Sequence, residues 1–184
     1  MQLNQSRRLI GMLVWTTLLA YFFANVEIQI EGGAGWAANL PTWRIEHHWL
    51  LDIFWGGRAM TGYHAWVFPF IALVFHYPIW CTGHWDWRIE GRIMASIMVF
   101  WIAEDWFWFV INPAYGLGRF NPIDVPWHKH WLGPVPVDYW MFSAVALTLL
   151  WLAERKGGGR ADAGSGATSI NIKRLPAAAL KNWR

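Results

Sequence analysis

Four long apolar runs divide the chain, at about residues 9–29, 62–81, 93–112 and 136–153, and the polar residues between them gather with Pro, Gly and Trp. Each run approaches the roughly 20 helical residues needed to cross a hydrocarbon core of about 30 Å. The pattern predicts an all-α, polytopic integral membrane protein. Its four-helix bundle would occupy residues 1–156, with two outer loops at 30–61 and 113–135. The first of these loops carries a smaller signal, "TWRIEHHWLLDIFW", in which Thr42 after Pro41 is placed to cap an interfacial helix over about 43–55. From residue 157 the composition changes to Gly, Ala, Ser and scattered basic residues, and this predicts a flexible, solvated cytoplasmic tail over 157–184. Its end, "LPAAALKNWR", could lie on anionic lipid as a short basic helix.

Composition supports this reading, because 55% hydrophobic residues and 17 Trp in 184 residues exceed the roughly 45–50% apolar content of soluble domains. The first run could be a signal peptide, but Phe22 stands where cleavage needs a small residue, so an uncleaved helix is expected. Basic residues set the orientation. Arg7 and Arg8 precede the first run, Arg88 and Arg92 lie between the second and third, and "ERKGGGR" follows the fourth. By the positive-inside rule both termini are cytoplasmic, in the cell (inner) membrane. Arg44, Arg58, Arg119 and Lys129 fall on the opposite side and make the asymmetry moderate. The lipid bilayer and partner membrane subunits are the expected partners. No glycine loop for phosphate and no basic-aromatic pattern for nucleic acid is present.

Two adjacent carboxylates, Glu104 and Asp105, interrupt the third run. A charged side chain at bilayer depth costs about 2.5–3.5 kcal/mol on insertion scales, so such residues call for a partner or a function. At 100° per residue, Met94, Ile97, Met98, Trp101, Glu104, Asp105, Trp108 and Asn112 share one stripe, expected to face the bundle interior. Val99, Ala103, Trp106, Phe107 and Val110 lie opposite and should face lipid.

The topology places five of the seven histidines on the side where the acid pair lies: His47, His48, His64, His128 and His130. Imidazole and carboxylate together suit Zn, Fe, Mn or Cu, and the lone Cys81 rules out a Cys-based zinc site. Glu104 and Asp105 are the candidate ligands or general base, with those five histidines as further ligands. "PWHKHW" suits ligation only on a non-helical backbone, which Pro122 and Pro126 favour. Two structural alternatives stand beside this. The histidines could be interfacial anchors, and the acids could pair with Arg58 or Arg119. His76 and His84 belong to the other side, in an aromatic belt around a Pro78 kink. The loop from Asn112 to Val135, rich in Pro, Gly and large apolar residues, reads as a cover over the acid pair, with Arg119 and Lys129 available to an anionic group. The HxxxH boxes of membrane di-iron hydroxylases are absent.

The functional expectation is therefore a metalloenzyme at the outer membrane boundary, acting on a lipid-like or small amphiphilic substrate. The alternative is a non-catalytic membrane subunit or pigment-binding protein that packs against partner helices. A carrier would need polar residues through the whole bilayer, and "RIMASIMVFW" offers only Ser96 and methionines.

Overall fold

A computed structural model describes residues 2–155, so the expectations for the tail 157–184 lie outside the described residues. The chain is mostly helical: α1 (Gln2–Glu31), α2 (Trp49–Phe54), α3 (Gly62–Thr82), α4 (Trp87–Ile111) and α5 (Val137–Glu154). All but α2 are long and apolar enough to cross a membrane. Two short antiparallel ladders lie in the connections, β1 (Arg44–Ile45) with β2 (Met60–Thr61) and β3 (Trp131–Leu132) with β4 (Val135–Pro136). Arg44 pairs with Thr61, and Trp131 with Pro136.

Local chemistry accounts for the helix ends. Thr61 caps α3 by accepting from the His64 N–H, and Gly83 closes that helix in the left-handed region at φ 59°. Asp86 caps α4 by accepting from Arg88 and Ile89. At the far end of α4 the Asn112 side chain works in two directions. Its Oδ1 accepts from Ala114 N–H at 2.9 Å, and its Nδ2 donates to the Gly32 carbonyl at 2.9 Å, which ties the ends of α1 and α4 together.

Helix α4 is the centre of the bundle, packed mainly on α1 and α5 and more lightly on α3. Small residues allow the close approach. Ala20 and Ala24 of α1 are fully buried, and a Cβ on Gly91 of α4 would already touch the Ala153 methyl of α5 at 3.4 Å. One core joins Ala20, Ile71, Phe75, Ile93, Ile97 and Phe100, and a second, nearer the loops, joins Ala24, Trp108, Phe109 and Val125. The outward surface is apolar, with Trp66, Leu147 and Phe22 largely exposed, and is compatible with a bilayer.

The expected stripe on α4 holds for Ile97, Glu104, Trp108 and Asn112, which are buried, whereas Met94 is exposed. Opposite it, Trp106 and Val110 are exposed as expected, while Val99, Ala103 and Phe107 are half-buried because α4 has neighbours on more than one face. The first outer connection departs from expectation more clearly. Its helix is confined to Trp49–Phe54 and capped by His48, not Thr42. Residues 44–45 are taken instead by the ladder to 60–61, which continues into a bond from Gly62 N–H to the Trp43 carbonyl at 2.9 Å.

Candidate functional site

The run "NVEIQIE" carries α1 on to Glu31, so Glu27 and Glu31 stand one turn apart on one face. That face meets α4 where Glu104 and Asp105 project. The four carboxyls line a cavity of about 340 Å³, with walls that include Trp36, Phe68, Trp101, Trp108 and Trp127.

Each acid has a distinct set of contacts. Glu27 is buried; its Oε1 accepts from Tyr63 Oη at 2.9 Å, and its carboxyl meets that of Glu104 within hydrogen-bonding reach. Glu104 is 4% exposed, and among the described residues no N–H or O–H group donates to its Oε1. Two carboxyls in contact are held together by a shared proton or by a cation. Glu31 accepts from the Ala37 N–H at 2.5 Å, and the Arg44 guanidinium donates to the Ala37 carbonyl. These bonds hold Trp36 and Ala37 in the left-handed region, at φ 56° and 52°, where residues other than glycine are uncommon.

Asp105 is held from the loop side. Its Oδ2 accepts from Tyr139 Oη of α5 at 2.5 Å and lies 3.1 Å from His128 Nε2. The other nitrogen of His128, Nδ1, lies 3.0 Å from Arg58 Nη1 and 3.4 Å from Asp138 Oδ2, and Arg58 also pairs directly with Asp138. His128 is buried in the loop before α5. Burial works against its charged form, as does the Arg58 guanidinium. The Asp105 and Asp138 carboxylates on its two nitrogens outweigh both, and they raise the ring above its ordinary value of 6.5. Arg58 further lies over the Trp36 ring, 4.6 Å from its centroid, and His64 stacks on the same indole at 4.0 Å.

The expected site residues divide into two groups. Glu104, Asp105, His64 and His128 line one cavity. His47 and His48 are exposed, with His48 Nδ1 accepting from the Leu50 N–H as a helix cap. His130 is exposed and lines a neighbouring open recess with Asp52 and Lys129. The seven-member His/carboxylate metal set is not assembled. Among the described residues no three His, Cys, Asp or Glu side chains are grouped to hold a metal ion. The histidines that do enter the cavity are already engaged, His64 Nδ1 with Thr61 Oγ1 at 2.7 Å and His128 with two acids.

The alternative ion pairs are not formed either. Arg58 reaches Asp138 and only faces Asp105 across His128, while Arg119 bonds Asp124 at 3.3 Å and the Ala114 carbonyl at 2.7 Å. The loop does contribute to the cavity wall, through Trp127 and His128.

Glu27 and Glu31 were missing from the expectation, as were Tyr63, Asp138 and Tyr139. A signal existed for the first two: Glu27 interrupts the first apolar run as Glu104 interrupts the third, and Glu31 follows it at helical spacing. No known protein family, characterised protein or solved structure matches this chain.

Proposed function

We propose that the chain is a multi-pass inner-membrane enzyme, with both termini cytoplasmic, that carries out proton transfer on a lipid-like or small amphiphilic substrate in the cavity at the outer boundary. The observation that supports this most is the state of Glu104. It lines an aromatic-walled cavity, is almost wholly buried, and has another carboxyl as its neighbour rather than an N–H or O–H donor. Such a group has a proton to exchange and little else to bond until a guest arrives.

The neighbouring acids have different assignments. Asp105 Oδ2 is committed to Tyr139 and His128, so Asp105 serves to fix the loop and the polarity of that wall. Glu27, steadied by Tyr63, shares its proton with Glu104 and can return one after transfer. The indole and phenyl walls receive the apolar body of the substrate and exclude water, which strengthens each polar contact inside.

The test is solvent labelling. Purified protein incubated with total membrane lipid in D₂O should produce species that carry deuterium on carbon, detected by mass spectrometry. Glu104→Gln should slow the labelling by about 10²–10⁴-fold, the usual range for a positioned acid or base, and Asp105→Asn, which alters only the wall around it, should slow it less. No mass change dependent on Glu104 would sink the proposal. The orientation is tested separately: a reporter inserted at residue 88 should read cytoplasmic.

A further inference from the structure

The cavity holds more acid than base. Glu27, Glu31, Glu104, Asp105 and Asp138 all line it, whereas Arg58 is the one Arg or Lys among the lining residues, with His64 and His128 as the imidazoles. Arg58 is used by Asp138, and His128 lies between Asp105 and Asp138. Arg44 stands behind Glu31, bonded to the same residue, Ala37, whose N–H that acid accepts. Among the described residues the Glu27 and Glu104 pair is left with a tyrosine hydroxyl and no basic side chain in hydrogen-bonding contact. Arg58 and a protonated His128 offset Asp105 and Asp138, so with one proton shared between them the Glu27 and Glu104 pair carries a negative charge that no basic side chain among the described residues contacts.

Two further features show a chamber built for a guest. Glu104 Oε1 and Trp108 Nε1 have no hydrogen-bond partner among the described residues, on side chains of residues only 4% and 3% exposed, and both residues are in the cavity wall. A buried polar atom left without a partner costs about 1–3 kcal/mol; a guest with N–H groups recovers it at Glu104 Oε1, an acceptor, whereas Trp108 Nε1 is a donor and calls for an acceptor elsewhere on the guest. Much of the rest of the wall is aromatic, beside Ile97, Met98 and Ile102, and the faces of Trp and Phe attract cations most strongly where water is excluded.

From this combination we infer that the cavity selects substrates bearing a protonated amine on an apolar body, the ammonium meeting Glu27 and Glu104 and the body lying among Trp36, Phe68, Trp101 and Trp127. The inference deepens the proton-transfer reading of the same cavity and rests on it for the role of Glu104. A neutral or anionic amphiphile would leave the carboxyl pair without a cation, and an anion would add repulsion. An ammonium donates N–H groups to carboxyl oxygens and completes the charge balance.

Three probes of equal length separate these cases: octylamine, which is protonated at pH 7, octanol and octanoate. Titration of the tryptophan fluorescence of the full chain in neutral detergent should give saturable binding of octylamine, about tenfold or more tighter than octanol, with octanoate showing none. Glu27→Gln and Glu104→Gln, checked for folding by circular dichroism, should each reduce that preference severalfold. Octanol binding as tightly as octylamine would overturn the inference, as would an amine preference that persists undiminished in the Glu27→Gln/Glu104→Gln double variant. If either variant fails to fold, the wild-type comparison of the three probes still decides. Deuterium labelling reports independently of head-group charge. Labelling with no ammonium preference leaves the proton-transfer reading standing and removes this one, whereas ammonium preference without labelling does the reverse.

Discussion

Glu27 of α1 and Glu104 of α4 meet carboxyl to carboxyl beside the aromatic cavity, and Tyr63 of α3 donates to Glu27 from the other side at 2.9 Å. Three helices are thus joined through one carboxyl pair. An amide in place of one acid would keep the shape and supply the missing hydrogen without any proton. Glu27→Gln should therefore leave thermal stability in detergent unchanged or raise it by up to about 1 kcal/mol, whereas Glu104→Ala should lower it by about 1–3 kcal/mol through lost packing and an unpaired partner. Equal losses in both variants would mean that the pair does not share a proton.

Arg58 ties the connection after α2 to the first turn of α5 through Asp138, with its own side chain 11% exposed and that of Asp138 26% exposed. Removing the guanidinium leaves Asp138 to His128 alone and uncovers Trp36. Arg58→Met should cost about 1.5–3 kcal/mol, the range for a hydrogen bond to a charged group, and the cost should shrink when Asp138→Asn is made as well. Additive losses in the double variant, measured by thermal unfolding in detergent, would show that the two side chains are not coupled.

Much of this architecture was legible in the residues. The apolar runs located α3 and α5 to within a residue or two, because Thr61, Gly83 and the Pro and Gly residues around them mark sharp ends. Helix α1 ran longer at both ends than its apolar core suggested: Glu31 lies past that core at helical spacing from Glu27, and the helix holds there because segments distant in sequence cover both acids. The same gap explains the histidines. Topology placed His48, His64 and His128 on one side, but it could not show that His48 would cap a helix, that His64 would turn to Thr61, or that His128 would settle between two acids. Those outcomes depend on side-chain partners supplied from distant segments. The helix expected from Trp43 lost its first turns to the β1–β2 ladder for the same kind of reason.

Gly35 tests the loop wall. A Cβ there would overlap the Trp127 ring, and that ring cannot swing aside freely because it lies parallel to Phe109, with centroids 6.0 Å apart and planes at 9°. Gly35→Ala should destabilise the fold by about 1–3 kcal/mol, as overpacking does, and should shift the tryptophan emission. Unchanged emission together with unchanged stability would mean that Trp127 is not seated against this segment.

His128 gives the bundle a pH dependence with a definite sign. Its ring is buried between the carboxylates of Asp105 and Asp138, with Arg58 as the one opposing charge in contact, and the folded protein holds its proton above the ordinary value of 6.5. The unfolded chain releases that proton near the ordinary value. The imidazolium contribution is therefore complete below about pH 6.5 and is lost as pH rises through the higher folded value. Between the two values stability should fall by about 1.4 kcal/mol per pH unit, the slope for one proton bound in the folded state and not in the unfolded. Thermal unfolding in detergent from pH 6 to pH 9 should show this decline in the wild type, and His128→Gln should make it shallower by the share of this one proton, since the amide can bond Asp105 without titrating. A wild-type stability that rises over that interval would show that His128 is buried neutral, with Nε2–H donating to Asp105 and Nδ1 accepting from Arg58.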